Sequence, residues 1–314
     1  MKRIGITLGD QAGIGPEIVD AALADPQLRE WFPQGVEFRV IGDRIDVVSG
    51  EPNRASAQAA LDGLVDSVRL LKSDQIDAVV TAPVAKEGLH ELGFHYPGQT
   101  EFYADRLCCD DFAMCLTGAQ LTVALVTIHV PIATVSDSLK ESEIIRVGRL
   151  LEKFCKQKRL AKGDNSMPKV AVCGLNPHAG ESGAFGSEDE EIVLPAIEKL
   201  NALSAKNMET EGKEILAGKV FSGPHPADTI FKPASEGDYD AVLCMYHDQG
   251  LIPLKLLDFD TGVNTTLGLS HPRTSPDHGT AFNIAGKGIA DHKSMLHAIK
   301  LAVEMLPKQD HKKA

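Results

Sequence analysis

Short runs of apolar, often β-branched residues alternate along the chain with longer stretches whose apolar residues recur every three or four positions. KRIGITLGD and EFRVIGD predict two strands, residues 57–71 predict an amphipathic helix, and IDAVVTAP predicts the strand that follows it. Three later apolar runs also predict strands that end in polar turns: LTVALVTIHVP, KVAVCGLNPHAG and YDAVLCMYHDQG. This alternation is typical of an α/β protein with a parallel or mixed sheet covered by helices.

The pattern also predicts the organisation of the chain. No low-complexity linker separates the elements, which favours two intertwined α/β lobes over domains in series. We expect lobe A to comprise residues 1–120 and 250–314, and lobe B residues 121–249. The polar residues 308–314 are predicted to form a solvated tail.

Composition and charge exclude several classes of protein. Of the 314 residues, 43% are hydrophobic and 24% charged, and the net charge of −12 argues against binding nucleic acid or an anionic membrane through the global field. No apolar run approaches the ~20 residues of a membrane span, and the N-terminus lacks the apolar core of a signal peptide. The six cysteines form no CxxC pair, which favours reduced thiols. We therefore predict a soluble cytoplasmic protein.

Three histidines occupy matching places in the pattern. His129, His178 and His247 each follow an apolar run that is predicted to be a strand. Open α/β sheets bind ligands beyond the carboxyl ends of their strands, so three imidazoles placed there are candidates for one divalent-metal site. The alternative, that each is an ordinary turn histidine, stays open because the spacing alone does not specify a metal.

The residues around these histidines indicate an anionic, oxygen-rich ligand. Asp248 directly follows His247 and is placed to orient a ligand or a substrate hydroxyl. Lys255 lies among apolar neighbours, where it is a candidate acid or base, or a lysine that snorkels to the surface. Arg273 lies in a Pro/Ser/Thr-rich segment and is a candidate clamp for a carboxylate or phosphate. Neutral hydrogen-bonding side chains add to this set: Gln99, Thr100 and Asn264.

Two glycine-rich segments are candidates for a nucleotide-binding site. GDQAGIGPEI does not match G-x-G-x-x-G, so a tight strand-to-helix turn is the favoured interpretation. DHGTAFNIAGKGIAD is more specific, because it resembles the cofactor loop of the isocitrate and isopropylmalate dehydrogenase class, with Phe282 in place of the usual proline. That resemblance implies NAD or NADP as cofactor, with NAD favoured. The implied cofactor-binding residues are His278, Gly279, Thr280, Asn283 and Gly286.

Nearly the whole chain resembles the 4-hydroxythreonine-4-phosphate dehydrogenase family of pyridoxal phosphate biosynthesis. The most specific matching blocks are VCGLNPHAGESGAFGSEDEE, YDAVLCMYHDQGLIPLK and VNTTLGLSHPRTSPDHGTAFNIAGKG. The resemblance implies the two-lobed α/β fold of the isocitrate and isopropylmalate dehydrogenase class. It further implies a homodimer whose active site is shared, with His129, His178 and, from the neighbouring subunit, His247 holding Zn, Mg, Co or Mn.

The same resemblance implies the reaction and the residues that carry it. Secondary-alcohol oxidation of 4-phosphohydroxy-L-threonine gives a β-keto acid that decarboxylates to 3-amino-2-oxopropyl phosphate. The positions that match substrate-binding residues are Gln99, Thr100, Lys255, Asn264 and Arg273. The positions that match catalytic residues are Lys255, Asp248 and Asp228.

Departures from the family pattern keep alternatives open. The family's PGHTE reads PGQTE here, so Gln99 replaces a histidine, and His225 stands where an apolar residue is usual. The stretch between Val40 and Ala57 is short for the biosynthetic enzyme. A D-threonate or D-erythronate 4-phosphate dehydrogenase, or a cis-dihydrodiol dehydrogenase for aromatic dicarboxylates, is therefore the alternative. A non-redox metal lyase or aldolase and a catalytically silent sensor are the alternatives from other classes.

Overall fold

The computed structural model describes residues 1–33, 35–210 and 219–307, so the predicted tail at 308–314 lies outside the described residues. The chain divides into two compact units, unit 1 formed by Met1–Asp110 with Asp260–Ala314 and unit 2 by Asp111–Phe259. The lobe boundaries predicted after residues 120 and 249 both fall within unit 2 of this division.

The described elements follow the alternation of strands and helices expected from the pattern. The strands are β1 (Arg3–Thr7), β2 (Glu37–Ile41), β3 (Ala78–Thr81), β4 (Ala113–Thr117), β5 (Thr122–Leu125), β6 (Val170–Cys173), β7 (Phe221–His225), β8 (Ala241–Cys244), β9 (Val263–Leu267) and β10 (Arg273–Pro276). The helices are α1 (Gly15–Ala24), α2 (Pro26–Trp31), α3 (Arg54–Lys72), α4 (Lys86–Glu91), α5 (Gln99–Arg106), α6 (Val135–Ser138), α7 (Glu141–Ala161), α8 (Leu194–Thr210), α9 (Ala227–Ser235), α10 (His247–Leu257) and α11 (Lys293–Glu304). None of the helices within the described ranges is both long and apolar enough to cross a bilayer.

In unit 1 the strands lie in the order β2-β1-β3-β10-β9. All neighbours in this order are parallel except β10 and β9, which run antiparallel. Helix α3 begins at a capping box in which the Asn53 side chain accepts the Ser56 N–H and the Ser56 hydroxyl accepts the Asn53 N–H. Its apolar face packs into a buried cluster that includes Leu64, Val79 and Phe102. The mixed sheet predicted from the sequence is confirmed.

The segment GDQAGIGPEI forms the strand-to-helix turn that the sequence favoured. Gly9 has a φ of +65°, and a Cβ there would lie 2.2 Å from the Pro83 carbonyl oxygen. A side chain at Gly15 would lie equally close, at 2.2 Å, to the Leu8 carbonyl oxygen. These glycines therefore let the backbone turn tightly from β1 into α1.

In unit 2 the strands lie in the order β4-β5-β8-β6-β7, and only β4 and β5 run antiparallel. Strands β5, β6 and β8 are buried along their whole length, as expected for parallel strands covered on both faces. Helices α7, α9 and α10 pack against them. The carboxyl ends of β5, β8 and β6 consequently lie side by side at one edge of this unit's strands.

A buried carboxylate fixes the end of α10. Asp258 is 3% exposed and accepts the backbone N–H groups of Ala119, Gln120 and Leu121 at 2.9 to 3.2 Å. These N–H groups belong to the turn between β4 and β5, and Asp258 is the residue at which α10 ends. The contact therefore joins the β4–β5 turn to the helix that begins with His247.

Gly118→Ala is expected to lower the free energy of unfolding by about 2–3 kcal/mol, because the added methyl group must displace this carboxylate. A Cβ at Gly118 would lie 2.3 to 2.5 Å from three atoms of the Asp258 side chain. Urea denaturation measures the loss. Gly279→Ala is the matched control, since a Cβ there meets nothing within 4 Å, and an equal loss in that variant would contradict the steric explanation.

Candidate active site

The structure brings the three candidate histidines to one edge of unit 2. His129 follows β5, His247 follows β8 and His178 follows β6, and these strands are parallel neighbours. The rings of His129 and His247 lie with their centroids 5.7 Å apart and their planes at 43°. His178 is exposed and lies against Phe185, at 5.9 Å between ring centroids. The topology thus places all three histidines at this edge, and the rings of His129 and His247 lie next to each other.

Asp248 holds the imidazole of His247. The Nδ1 of His247 lies 2.6 Å from the Oδ1 of Asp248, and a carboxylate oxygen can only accept in this bond. The Asp248 side chain is otherwise 70% exposed. This bond leaves Nε2 of His247 available as a ligand, in the arrangement that is common for metal-binding histidines.

The donor chemistry at this edge fits a divalent metal. Imidazole nitrogen suits zinc, cobalt and related ions, and the His129–His247 pair supplies two such donors at close range. Within the described residues no group of three or more His, Cys, Asp or Glu side chains is assembled to hold a metal ion. The structure therefore shows a pair of candidate ligands with a third on the adjacent strand.

A buried amide joins the ends of these strands. Gln249 accepts the backbone N–H of Met245, just after β8, and donates to the carbonyl of Gly174, just after β6, both at 2.7 Å. The Thr127 hydroxyl, just after β5, donates to the Met245 carbonyl at 2.8 Å. Sequence reasoning did not single out Gln249, although it lies within the YHDQG block.

His178 begins a run of left-handed backbone. The six residues 178–183 all have positive φ, between 41° and 86°. Only two of these residues are glycine, so the others adopt a conformation that costs of the order of 1 kcal/mol each. The buried carboxylate of Asp189 accepts the N–H groups of Leu175 and Asn176, at 2.6 and 2.9 Å, and so fixes the entry to this turn. No local sequence pattern predicts this conformation.

In unit 1, Arg273 is a buried cation among neutral partners. Arg273 is only 3% exposed. Its Nη2 donates to the Thr81 hydroxyl at 2.7 Å and to Gln99 Oε1 at 3.1 Å. A weaker contact joins Nη1 to the Thr100 hydroxyl at 3.4 Å. Burial lowers the pKa of Arg273 to about 10, so the guanidinium still carries its charge at neutral pH. A charge buried in this way favours the approach of an anion.

Asn264 shares the strand face of Arg273. It pairs with Ser275 across the antiparallel β9–β10 register, and Ser275 lies two residues beyond Arg273 on β10. Its Oδ1 atom is buried and has no hydrogen-bond partner in the described structure. Such a group normally has a partner, so Asn264 is suited to take one from a ligand.

Gln99 is committed to protein contacts. Its Oε1 accepts from Arg273, and its Nε2 donates to the Ala82 carbonyl at 3.3 Å. Both ends of the amide are therefore used in holding the guanidinium and the end of β3. The sequence identified Gln99 as a departure from the family pattern but did not reveal this contact with Arg273.

The two remaining catalytic candidates lie apart along unit 2. Lys255 is half-buried in the last turn of α10, two turns after His247. Asp228 is exposed in the first turn of α9.

The candidate cofactor loop packs on the glycine turn near the N-terminus. Ile14 N–H donates to the Thr280 carbonyl at 2.9 Å, and a Cβ at Gly13 would lie 2.6 Å from that same oxygen. Gly286 has a φ of +73° and lies against Ser49. Asn283 and Gly279 are exposed and His278 is half-buried, so the loop presents the Asn283 side chain and the Gly279 backbone outward.

His225, the other departure, is a packed histidine at the end of β7. Its Nε2 lies 2.8 Å from the Ser222 hydroxyl, and its ring meets Tyr239 edge-on at 5.8 Å. Burial lowers the pKa of His225 below its usual 6.5.

The lowered pKa of His225 predicts that acidification decreases the free energy of unfolding. In the folded state the neutral imidazole is favoured, so its contribution is present above pH 6.5 and is lost as the pH falls through the folded pKa. His225→Phe keeps the ring contact and removes the titration. We expect the melting temperature of this variant to fall less than that of the wild type on acidification below 6.5, and parallel curves would contradict this assignment.

Comparison with known proteins decides the family. A family profile described as pyridoxal phosphate biosynthetic protein PdxA matches residues 18–302. The chain belongs to the PdxA family. A 4-hydroxythreonine-4-phosphate dehydrogenase of Zymomonas mobilis is 38% identical, with 96% of this chain and 95% of that protein covered. Another PdxA relative, from Oceanobacillus iheyensis, is named as a putative D-threonate 4-phosphate dehydrogenase and is 37% identical, with 97% and 98% covered.

Solved structures agree with the PdxA assignment. The 4-hydroxythreonine-4-phosphate dehydrogenase of Klebsiella pneumoniae superposes with a TM-score of 0.75 at 34% identity, over 97% of this chain and 99% of that one. A terephthalate 1,2-cis-dihydrodiol dehydrogenase from Burkholderia xenovorans gives 0.63 at 27% identity, over 96% and 98%. The isocitrate dehydrogenase of Methylococcus capsulatus gives 0.52 at 17% identity, over 97% and 85%, which confirms the predicted fold class.

Proposed function

We propose that this protein is a dehydrogenase, dependent on a divalent metal and on NAD or NADP, that oxidises the secondary alcohol of 4-phosphohydroxy-L-threonine. The observation that carries the proposal is the charged, buried guanidinium of Arg273, whose hydrogen-bond partners in the described structure are all neutral. It supplies an anion-binding group suited to a phosphate or carboxylate. The dehydrogenase relatives favour this chemistry over a lyase or a sensor.

Each candidate residue has a distinct role in the proposed reaction. Arg273, Asn264 and Thr100 bind the anionic part of the substrate, and Lys255 adds a second cation. Asp248 orients His247, and His129, His178 and His247 would hold the metal. A bound metal supplies Lewis acidity that favours the alkoxide and the enolate over their protonated forms.

Proton and hydride leave the alcohol separately. The hydroxyl proton passes to a base, Lys255 or a water molecule held by Asp248, and Asp228 faces the substrate's polar groups. Bound NAD(P)⁺ would supply the acceptor for the hydride on the same carbon, and the alcohol would thereby be oxidised to a ketone. The resulting β-keto acid loses carbon dioxide, and protonation of the enolate gives 3-amino-2-oxopropyl phosphate.

The cofactor is placed in the loop after β10. We assign His278, Gly279, Thr280, Asn283 and Gly286 to it, since this loop is held on the N-terminal turn and exposes backbone at its glycines. Asn283 carries no charge to repel a 2′-phosphate, so either NAD or NADP is compatible. The sequence contains no CxxC pair, which supports a reducing compartment, the cytoplasm.

We further propose a homodimer whose subunits share the active site. Large apolar side chains on and just after α10 are exposed: Ile252 by 67%, Leu256 by 83% and Phe259 by 75%. They continue from the helix that begins with His247, and exposed apolar patches mark interaction surfaces. A second copy that covers this surface would therefore lie beside a candidate metal ligand.

Complementation tests the shared site. Each single variant is expected to be inactive: His129→Ala, His178→Ala and His247→Ala. Two variants are then mixed after mild dissociation, so that mixed dimers form. Turnover is expected to return when the two substituted histidines serve the same site from different chains, because one of the two sites in the mixed dimer is then intact. Two of the three pairs should then be active, and the histidine that they share is the one that crosses the interface; the family resemblance implies His247. A complete absence of restored activity, with dimers shown by light scattering, would contradict the shared site.

A second substrate class is favoured by Gln99. Its amide is bound to Arg273 and Ala82 and, unlike a histidine, it never carries a positive charge. D-threonate or D-erythronate 4-phosphate is therefore the alternative substrate, and one relative bears the name of such an enzyme.

The deciding experiment measures nicotinamide reduction by metal-replete protein. We would compare 4-phosphohydroxy-L-threonine with D-threonate and D-erythronate 4-phosphates and with an aromatic dicarboxylate cis-dihydrodiol, each with NAD and NADP. Turnover of the first substrate alone supports the proposal. If a sugar-acid phosphate is preferred, and Gln99→His shifts the preference toward 4-phosphohydroxy-L-threonine, the alternative is correct. Turnover of none by folded, metal-bound protein would overturn both.

A further inference from the structure

We propose that Glu188 is a positioning residue for the metal site, because its carboxylate joins the segments that carry His129 and His178. The inference rests on the metal site proposed above. It concerns a residue that neither the histidine pattern nor the candidate catalytic set includes.

Two bonds tie Glu188 to the two segments. Its Oε1 accepts from the Ser136 hydroxyl at 2.6 Å, and its Oε2 accepts from the Asn176 amide at 2.8 Å. Ser136 lies in α6, the first α-helix after His129, and Asn176 lies two residues before His178. These hydrogen bonds lower the pKa of Glu188, so it is ionised and both bonds are charge-assisted.

The surrounding backbone is built for this contact. A Cβ at Gly186 would lie 2.5 Å from Oε2 of Glu188 and 2.7 Å from the amide nitrogen of Asn176, so the glycine leaves room for the two groups to meet. The next residue, Asp189, binds the N–H groups of Leu175 and Asn176. Asp189 thus binds both residues that precede Pro177, and Glu188 binds the second of them, Asn176.

The strained backbone at His178 explains why such a contact is needed. His178 and the five residues after it all have left-handed φ, which the local sequence does not favour. His178 is also exposed, so packing alone does not fix its imidazole. A tie between Asn176 and the segment after His129 therefore limits the positions of both imidazoles before a metal binds. Pre-organisation of this kind increases affinity by reducing the ordering required on binding.

The test is the affinity of apo-protein for Co²⁺, followed by its visible absorption, and for Zn²⁺ by competition with a chelator. Glu188→Ala is expected to raise the dissociation constant about tenfold, the lower end of what outer contacts contribute to a metal site. Glu188→Gln can still accept from Asn176 while its amide donates to the Ser136 oxygen, so it should recover most of the affinity. Glu190→Ala, an exposed neighbour on the same turn, is the matched control and should bind as the wild type does.

Two further measurements separate positioning from general stability. Asn176→Ala should weaken binding to a similar extent, and the double variant with Glu188→Ala should be little worse than either, because both lose one contact. A lowered melting temperature of apo Glu188→Ala with an unchanged dissociation constant would overturn the inference. In that case wild-type binding still supports the proposed metal site, whereas a wild-type protein that binds neither ion would overturn both.

Discussion

Arg273→Met is expected to reduce kcat/KM by about a thousandfold or more, since losing one partner of a buried charge pair costs about 4 kcal/mol in binding. The same variant should keep nearly all of its stability. The buried charge contributes little to the stability of the free protein, whereas it contributes strongly to binding when an anionic substrate is present. The variant therefore separates function from folding at one residue.

The stability half of this prediction follows from the partners of Arg273. The free protein pays to bury a guanidinium whose bonds go to Thr81, Thr100 and Gln99, none of which carries a compensating charge. Methionine has a similar length and no charge, so it removes the desolvation cost while it leaves some oxygens without a donor. The two terms are of similar size, and we expect the free energy of unfolding to change by less than about 1 kcal/mol.

Arg159→Met is the matched control for this experiment. The Arg159 guanidinium binds both oxygens of Asp240 at 2.8 Å, and Asp240 lies just before β8, at the end of that strand opposite to His247. This variant should lose more stability than Arg273→Met and keep its activity. Urea denaturation measures the stability of both variants, and steady-state kinetics measures the activity of both. A large loss of stability in Arg273→Met, equal to that in Arg159→Met, would mean that Arg273 is a structural residue.

Local sequence patterns predict those features of the fold and of the candidate site that depend on residues close together in the chain. The ends of apolar runs located His129, His178 and His247, because the carboxyl ends of neighbouring parallel strands share an edge. The glycine turn near Gly9 was interpreted correctly for the same reason, since a strand followed by a proline-initiated helix is visible within ten residues. Features that depend only on neighbouring residues were therefore predictable.

Features that depend on distant pairing were not. Thr81 binds Arg273 only because β3 and β10 pair, and these residues are separated by 192 positions. Gln99 was recognised as unusual, yet its bond to Arg273 requires α5 to lie beside the start of β10. The left-handed turn at His178 is stabilised by carboxylates that follow it, so its own sequence contains no signal of it.

His247→Ala and His129→Ala are each expected to lose metal binding and turnover together, with turnover below about a thousandth of the wild-type value, since the metal supplies several kcal/mol of transition-state stabilisation. Both histidines follow adjacent parallel strands of unit 2 and both are proposed ligands, so each substitution removes one donor from a metal site, whether the ligands come from one chain or from two. Metal analysis of the purified variants and nicotinamide reduction measure the two losses on the same samples.

Controls at the same edge distinguish ligands from other histidines. His225→Ala removes an imidazole that is bound to Ser222 and packed on Tyr239, so it should cost stability but keep the metal. Asp248→Asn should be intermediate, with metal affinity reduced about tenfold to a hundredfold, because it loosens the imidazole of His247 without removing it. Full turnover in chelator-treated, metal-free wild-type protein would contradict the metal mechanism. If His225→Ala instead lost metal as completely as His247→Ala, the ligand set would have to include the end of β7.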